Sequence, residues 1–451
     1  MNDSLIELEI KDLAYDGKAV AYDNGKVVFL VGGLPGETVR AEIIQKRPRY
    51  DQGIVREIIV KAPERVEARC SHFAECGGCT WQDLEYERQL FFKRKQVVDC
   101  LERIGGMEAV VVEPVIPCAD QFFYRNKMEY SFHFNPHGDF ALGLHHRGMF
   151  DKIFDLDRCH LQSEVSNRIV SWLRGYVKSR QIPVYDVMFH RGYMRFVIIR
   201  EGKLTGQTMV NIVTNYGAFP DAEDMVKSLL SKVPEVTTVV HNQNGQKSNI
   251  AIGEVAEAVL YGPGYIEEEV MKTRFRIRAN SFFQTNSRQV EKLYSVAFDK
   301  LNCTGTENVL DLYCGGGAIG LLLANRVAKV TGVELVPSAI EAANENAAIN
   351  GITNCEFFEA NVLDYLRSPS FDQARFDLII VDPPRAGMNP KVLKRLIEYR
   401  PKQLLYISCN PATFARDTKD LLAAGYHLPV VSPVDMFPHT MHIEVVGLFS
   451  C

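Results

Sequence analysis

The sequence lacks an apolar run of the roughly 20 residues that a membrane-spanning helix needs. Its polar first residues, MNDSLIELE, are not expected to act as a signal peptide. It also lacks an excess of basic charge, because the formal net charge is -5. A nucleic-acid partner would therefore have to be bound by local basic patches rather than by the charge of the whole protein.

The chain is long enough, at 451 residues, for about two or three domains. Its 46% apolar and 24% charged content is typical of a soluble globular protein. Eleven cysteines, an odd number scattered along the chain, predict a reducing, cytoplasmic environment. Clustered cysteines are then expected to be metal ligands or catalytic groups rather than disulfides.

The first domain, expected at residues 1–60, alternates apolar and polar residues in twos. Turn-forming pairs interrupt it at Asp16-Gly17, Asn24-Gly25, Gly32-Gly33 and Pro35-Gly36. Short strands with such regular turns predict a small closed barrel. A basic loop with a tyrosine, KRPRY at 46–50, suits RNA, although a solvated loop on a β appendage has the same composition. The pattern resembles the TRAM domain, an OB-like barrel, and this resemblance implies RNA binding.

The second domain, expected at residues 61–285, begins with a group of cysteines. Cys70, Cys76 and Cys79 are spaced C-x5-C-G-G-C, and the two glycines let the backbone wrap around a metal or cluster. A radical S-adenosylmethionine site would need C-x3-C-x2-C, which is not found in the sequence. Zinc and iron–sulfur clusters both take four thiolates, so the spacing leaves both open. The candidates for the fourth ligand are Cys100, Cys118 and Cys159.

The rest of the second domain is predicted to be an α+β lobe without a catalytic constellation. A basic patch, KRK, lies at 93–95. Aromatic and basic residues interleave in FYRNKMEYSFHF at 123–134, which suits single-stranded RNA or, equally, a half-buried strand with a polar face. The lobe ends at FFQTN, where Asn286 or Ser287 is the expected N-cap of a helix.

The third domain, expected at residues 286–451, alternates strands and helices and predicts a doubly wound α/β sheet. A glycine loop, GxGxxG at 315–320, follows its first strand, and Glu334 ends its second. Either NAD or S-adenosylmethionine fits this pattern, because both carry adenosine. Asp311 before the loop, DPPRAG at 382–387 after the fourth strand and a closing strand pair favour S-adenosylmethionine.

One cysteine, Cys409, is predicted at the end of a buried strand within LLYISCNPATFARD. Asn410 is a strong N-cap and Pro411 suits the first helical position, so a helix is expected to begin there. The positive end of this helix is expected to lower the pKa of the thiol and make it a better nucleophile. A buried core cysteine is the alternative.

The topology of a class I methyltransferase sheet would bring three of these side chains together. Its fourth and fifth strands are neighbours and its reversed last strand begins at the same edge, so Asp382, Cys409 and Glu444 should meet. A thiolate and a base are what C5-methylation of uracil requires, since the thiolate adds to C6 and the base removes the C5 proton. The target uridine has to be flipped out of its stack for a thiol to reach C6.

Five segments resemble the uracil-5 RNA methyltransferase family in order and spacing: FFQTN, DLYCGGG, DPPRAG, ISCNPATFARD and MHIEVV. With the barrel and the C-x5-C-G-G-C loop, the resemblance covers nearly the whole chain. It is strongest to the RumA-type branch, which methylates a uridine of 23S ribosomal RNA. The tRNA-specific bacterial relatives generally lack both the barrel and the cysteine loop.

The resemblance implies a class I S-adenosylmethionine-dependent methyltransferase domain, Rossmann-like, behind the barrel and a central α+β domain. Cys409 would be the nucleophile, Glu444 the base, and Phe282 would stack near the flipped uracil. Five residues would contact the cofactor or the target base: Gln284, Tyr313, Glu334, Asn361 and Asp382. A [4Fe-4S] cluster, structural or RNA-organising, would be held by Cys70, Cys76, Cys79 and, from DLDRCHLQ, Cys159.

One position departs from the family pattern. RumA-type glycine loops often read CGxGN, and Ala318 stands where the asparagine would contact the cofactor, so that contact is expected to be lost or replaced. The expected function is C5-methylation of a uridine in 23S rRNA, with tRNA as the alternative substrate. A non-catalytic RNA-binding or assembly factor with a vestigial cofactor fold, and an NAD oxidoreductase, are the remaining candidates.

Overall fold

The structure is a computed structural model that describes residues 5–107, 110–134, 137, 139–149, 151–219, 221–247, 250–253 and 257–451. Within these ranges the strands form a closed barrel, a seven-stranded sheet, a two-stranded hairpin and an eight-stranded sheet, in that order along the chain. No helix in the described ranges is long and apolar enough to cross a membrane.

The N-terminal strands close into the predicted barrel. Its strands are β1 (Ile6–Leu13), β2 (Ala19–Asp23), β3 (Lys26–Val31), β4 (Thr38–Lys46) and β5 (Tyr50–Val60). They pair in the order β1-β2-β3-β5-β4 and back to β1. The alternation noted in the sequence buries one face of each strand, as at Ile10, Ala21 and Val28, which are fully buried inside the barrel.

An α+β segment that contains a mixed sheet follows the cysteine loop. Its elements are α1 (Tyr86–Arg103), β6 (Val111–Val112), β7 (Lys127–Phe134), β8 (Phe140–His145), β9 (Ile153–Asp155), α2 (Glu164–Ser179), β10 (Met194–Glu201), β11 (Thr208–Thr214), α3 (Ala222–Lys232), β12 (Val236–Gln243) and β13 (Ala258–Tyr261). Seven of the strands form the sheet β13-β12-β11-β10-β7-β8-β9, beside the hairpin β14 (Tyr265–Val270) and β15 (Thr273–Arg278). The α+β character predicted for this part of the chain is thereby confirmed.

The KRK stretch of α1 does not form the basic surface patch that its sequence suggests. Lys93 is fully buried, and its Nζ lies 2.6 Å from Oδ1 of Asp435. Arg94 donates to the backbone carbonyl of Val112, and Lys95 pairs with two aspartate carboxylates at 2.7 Å. All three charges are therefore engaged by the protein itself, and Lys93 ties α1 to the segment that precedes the last strand of the chain.

The C-terminal part forms the predicted doubly wound sheet. Its elements are α4 (Ser287–Asp299), β16 (Asn308–Leu312), α5 (Ala318–Leu323), a short 3-10 turn (Ala324–Arg326), β17 (Lys329–Glu334), α6 (Pro337–Ile349), β18 (Cys355–Glu359), α7 (Val362–Tyr365), α8 (Pro369–Gln373), β19 (Leu378–Val381), α9 (Pro390–Tyr399), β20 (Gln403–Ser408), α10 (Pro411–Ala423), β21 (Val430–Val434) and β22 (Glu444–Ser450).

The strand order of this sheet is β18-β17-β16-β19-β20-β22-β21-β6. The core strands β16 to β20 pair in parallel, and β22 lies antiparallel between β20 and β21, which is the class I methyltransferase arrangement. The edge strand β6 was not expected, because it comes from the segment before the mixed sheet and pairs in parallel with β21.

Local chemistry sets where two helices of this region begin. Oδ1 of Asn286 accepts the backbone N–H of Gln289, so Asn286 rather than Ser287 is the N-cap of α4. Oδ1 of Asn410 accepts the N–H groups of Ala412 and Thr413, with Pro411 in the first helical position of α10, as predicted.

Candidate active site

Three strand ends bring the candidate catalytic residues to one edge of the large sheet. Cys409 directly follows β20, Asp382 directly follows the neighbouring β19, and Glu444 is the first residue of β22. Ser408 pairs with Val445 in the antiparallel ladder of β20 and β22. The next step of that register puts Cys409 across from Glu444, because antiparallel partners advance in opposite directions.

A cavity of about 1270 Å³ opens at this edge, and both Cys409 and Glu444 line it. The other six residues expected to bind the cofactor or the target base line the same cavity: Phe282, Gln284, Tyr313, Glu334, Asn361 and Asp382. Ala318, where the family asparagine is missing, is also on its wall. Every residue predicted to bind the cofactor, to contact the target base or to take part in catalysis therefore lines this one cavity.

On the cofactor side of the cavity, the carboxylate of Glu334 accepts hydrogen bonds from three backbone N–H groups. One carboxylate oxygen of Glu334 accepts the N–H of Gly315 at 3.2 Å, and the other accepts those of Leu335 and Val336 at 2.7 and 3.0 Å. The carboxylate is thereby fixed between the glycine loop and the start of α6, where a ribose-binding acid belongs. Asn361 is fixed too, because its side chain caps α7 by accepting the N–H of Leu363.

Buried carboxyl groups give this cavity its electrostatic character. Burial, and the nearby charge of Asp382, raise the pKa of Glu444 to about 8. Burial alone raises the pKa of Asp382 to about 7, and burial together with Asp382 raises that of Asp311 to about 8. A cationic ligand would relieve the repulsion among these groups, so the residues present fit a cofactor that carries positive charge.

The thiol of Cys409 is less acidic than the sequence suggests. Burial raises its pKa to about 11, and the charges of Glu444 and Asp382 add to that effect. The expectation of a lowered pKa at the helix terminus is wrong because burial outweighs the effect of the terminus. The hydrogen bonds at the start of α10 are also directed elsewhere. Pro411 has no N–H, and the next two amide groups of α10 donate to the side chain of Asn410 instead of to the thiol.

Two further residues on the cavity wall were missed by sequence reasoning. Arg385 and His442 both line the cavity, with Nη2 of Arg385 3.3 Å from Nε2 of His442. Arg385 is the cation that lowers the pKa of Cys409, while burial and Arg385 lower the pKa of His442 to about 4. Both lie inside motifs already singled out, DPPRAG and MHIEVV, so their position in those motifs was the available signal.

The loop that carries Phe282 is held by the mixed sheet. Phe282 is 72% exposed and lines the cavity. The side-chain amide of Asn126 donates to the carbonyl of Gln284 at 2.8 Å, and its backbone N–H donates to that of Thr285. The buried guanidinium of Arg200 donates to two carbonyls just before Phe282. An exposed aromatic ring on a fixed loop is available to stack on a base.

The four cysteines predicted to bind a cluster line a second cavity, of about 600 Å³: Cys70, Cys76, Cys79 and Cys159. Of the other two candidates for the fourth position, Cys100 lies within α1 and Cys118 accepts a hydrogen bond from Asn286. Two sulfurs of the cavity accept N–H groups, Cys76 from Gly78 and Cys79 from Gln82. Across the described ranges, no three His, Cys, Asp or Glu residues are grouped closely enough for one metal ion.

The strand order, the glycine loop and the cavity at the carboxyl edge together define a class I S-adenosylmethionine-dependent methyltransferase. Residues 252–450 match the family described as tRNA (Uracil-5-)-methyltransferase, and residues 1–55 match the TRAM domain. The chain therefore carries both a catalytic domain and a barrel of known type.

Relatives and a solved structure extend this match to the full length of the chain. Uncharacterized RNA methyltransferases of Chlorobaculum tepidum and Halalkalibacterium halodurans are 39% and 38% identical over 99% of this chain and 96% and 97% of their own. The tRNA (uracil-54, C5)-methyltransferase of Pyrococcus abyssi, solved with S-adenosyl-L-homocysteine, is 30% identical, with a TM-score of 0.79 over 98% of this chain and 99% of its own. The protein belongs to the RNA uracil-5 methyltransferase family. This membership decides between the two cofactors that fit the glycine loop, in favour of S-adenosylmethionine over NAD.

The charge of Arg385 gives a first testable prediction. Because this guanidinium lowers the pKa of Cys409, Arg385→Gln should move the pH profile of Cys409 alkylation to higher pH, by up to about one pKa unit or tenfold in thiolate at a fixed pH. Iodoacetamide labelling of the Cys409 peptide, followed by mass spectrometry across pH, measures it. Arg385→Lys retains the charge and serves as the control, and an unshifted profile in the glutamine variant would contradict the electrostatic account.

Proposed function

We propose that the protein methylates C5 of a uridine in structured RNA, with Cys409 as nucleophile and Glu444 as general base. The observation that carries this proposal is the register of β20 and β22, which sets a thiol across from a buried carboxyl in one cavity. A thiol and a base side by side in one cavity are what addition to a pyrimidine and later proton removal require.

The cofactor supplies an electrophilic methyl group to C5 when it is bound. Glu334, Asn361, Tyr313 and Gln284 would hold it from the glycine-loop side, and Asp382 would place a carboxyl near its positive charge. This assignment is supported by the fixed carboxylate of Glu334 and by the buried carboxyl of Asp382, whose ionised form a cationic ligand would stabilise.

Cys409 would act on the target uracil in the first step of the reaction, and Glu444 would act in the last. The Cys409 thiolate forms a bond to C6, and the C5–C6 electron pair moves onto C5 and O4, which makes C5 nucleophilic. After C5 has been methylated, Glu444 takes the C5 proton, the C6–S bond breaks, and the double bond re-forms as the thiolate leaves. Burial makes Glu444 a stronger base than an ordinary carboxylate, which suits it to this proton.

The covalent mechanism predicts opposite outcomes for its two residues. Cys409→Ala should abolish methyl transfer, since no bond to C6 can form, and should leave binding of S-adenosylhomocysteine intact by calorimetry. Glu444→Gln should accumulate a protein–RNA adduct that migrates slowly on a denaturing gel, because the methylated adduct keeps its C5 proton.

The exposed C-terminal cysteine supplies a matched control, and Cys451→Ala should retain full activity. Full activity of Cys409→Ala would rule out the covalent route, and the absence of an adduct in Glu444→Gln would count against that residue as base. A wild-type protein that binds RNA without transferring any labelled methyl group would favour the non-catalytic RNA-binding alternative.

The substrate that we propose is a uridine of 23S rRNA, flipped from its stack so that Phe282 stacks beside it and Cys409 reaches C6. The support for this branch of the family is the resemblance of the barrel and the cysteine loop to those of RumA-type enzymes. The Pyrococcus abyssi neighbour is named for tRNA, so tRNA is the second candidate.

The choice between the two RNAs predicts where methylation is lost in cells. In a strain without the gene, 5-methyluridine should disappear from a 23S rRNA position and persist in tRNA, as read by mass spectrometry of purified RNA fragments. Complementation with the Cys409→Ala variant is the control and should not restore it. If 5-methyluridine is lost from tRNA alone, the proposed substrate would be tRNA instead of 23S rRNA.

We propose further that Cys70, Cys76, Cys79 and Cys159 hold a [4Fe-4S] cluster. All four line one cavity, whose volume of about 600 Å³ exceeds what a single ion needs, and a cluster sets its thiolates farther apart than one zinc ion does. The N–H groups directed at two of the sulfurs would stabilise thiolates. All eleven cysteines are free thiols, in keeping with a proposed cytoplasmic location.

The cluster proposal predicts a brown protein after anaerobic purification, with a broad visible absorption band and about four irons per chain. Cys159→Ala should remove the colour and the iron. Cys118→Ala, a buried cysteine outside the cavity, is the control and should retain both. A colourless protein with one zinc per chain would replace the iron–sulfur assignment by zinc.

A further inference from the structure

We propose that the first turn of the barrel, residues 14–18, is a structural part of the active site, with Tyr15 as a positioning residue for Cys409. This barrel turn joins β1 to β2 and lies against the segments that flank both Cys409 and Glu444. The inference rests on the proposed function, because it concerns how the proposed nucleophile and base are held.

Tyr15 reaches the nucleophile side of the site. Its hydroxyl donates to Oδ1 of Asn410 at 2.8 Å, although the two residues are 395 positions apart in the sequence. Burial raises the pKa of Tyr15 to about 12, so the hydroxyl retains its proton and remains a donor. Asn410 immediately follows Cys409, and so the contact acts one residue from the thiol.

Backbone contacts fix which way the Asn410 amide points, and Tyr15 ties the barrel to the amide held in this way. Oδ1 of Asn410 accepts from Tyr15 and from the first amide groups of α10, while Nδ2 donates to the carbonyl of Arg385 at 2.8 Å. Rotating the amide by half a turn would set its oxygen against the carbonyl of Arg385 and its NH2 group against the first amide group of α10, so the observed orientation is the one to which Tyr15 donates. The barrel therefore holds the junction between β20, α10 and the DPPRAG loop in the arrangement that presents Cys409 to the cavity.

Gly17 lies on the side of the site that carries the proposed general base, Glu444. Its backbone is left-handed, with φ at +81°, and a Cβ there would lie 2.6 Å from Cγ2 of Thr80 and 3.4 Å from Cβ of Met441. Met441 lies three residues before Glu444. Thr80 is anchored to the same segment, because its N–H donates to the carbonyl of His439 at 2.8 Å. The close approach thus needs glycine and presses the barrel turn onto the segment that leads into β22.

The barrel turn is itself held in place by α1. The side-chain amide of Gln96 donates to the carbonyl of Ala14 at 3.4 Å, and Lys95 pairs with Asp12 at 2.7 Å. The barrel is therefore seated on the catalytic domain at a defined point. Its role then extends beyond contact with RNA to the geometry of the residues that react.

The test is steady-state methylation by Tyr15→Phe, which removes one hydroxyl and leaves the ring. We expect kcat to fall about three- to tenfold, the effect of one hydrogen bond, with KM for RNA and the Kd of S-adenosylhomocysteine unchanged. In an Asn410→Ala background, Tyr15→Phe should have no further effect, since its partner is gone. Tyr22→Phe, on an exposed tyrosine of β2, is the control and should retain wild-type kcat.

A comparison of two glycine variants supplies a second, independent test. Gly17 and Gly25 share a φ of +81°, and a Cβ at Gly25 meets nothing within 4 Å. Alanine at either position carries the same backbone strain, so a fall in kcat for Gly17→Ala beyond that of Gly25→Ala reports the contact with Thr80 and Met441.

The outcomes separate this inference from the proposed function. A raised KM for RNA at unchanged kcat in Tyr15→Phe would make Tyr15 an RNA contact and overturn the positioning role. Equal kcat in both glycine variants together with wild-type kcat in Tyr15→Phe would also overturn it. Failure of the wild-type protein to methylate any RNA would instead remove the proposed function itself.

Discussion

The antiparallel pairing of β20 with β22 is the constraint on which the rest of the site depends. In an all-parallel sheet every strand ends at the carboxyl edge, and residues at that edge come only from strand ends. Reversing one strand lets its first residue, Glu444, stand at that edge across from Cys409. The pairing is a backbone property, so the ladder rather than a flexible loop brings these two residues to the same edge of the sheet.

The same edge concentrates buried carboxyl groups, and their pKa values of about 7 to 8 leave them partly or largely protonated near neutral pH before substrates arrive. Asp382 adds to the effect of burial in raising the pKa of Asp311 and of Glu444, and with Glu444 it adds to the effect of burial on the pKa of Cys409, where Arg385 is the cation that opposes them. A cationic cofactor is favoured by this field, and the thiol is held protonated in its absence.

Much of this could be predicted from the sequence because it depends on local or topological rules. The N-caps at Asn286 and Asn410 follow from side-chain chemistry, and the meeting of Asp382, Cys409 and Glu444 follows from the strand order of the fold class. What could not be predicted depends on partners far away in the chain. Lys93 lies in a basic stretch yet is buried on Asp435, 342 residues later, and the hydroxyl of Tyr15 meets Asn410 across domains. The pKa of Cys409 was wrongly predicted because burial outweighs the helix terminus.

The most direct measurement of the central claim is the identity of the protein atom that bonds to the base. With RNA that carries 5-fluorouridine at the target position, the C5 fluorine cannot leave as a proton does, so the methylated adduct should persist. After nuclease and protease digestion, mass spectrometry should find one methylated fluorouridine on the peptide that contains Cys409. An adduct on a different cysteine, or steady methylation of ordinary RNA with no adduct on the fluorinated RNA, would contradict the account.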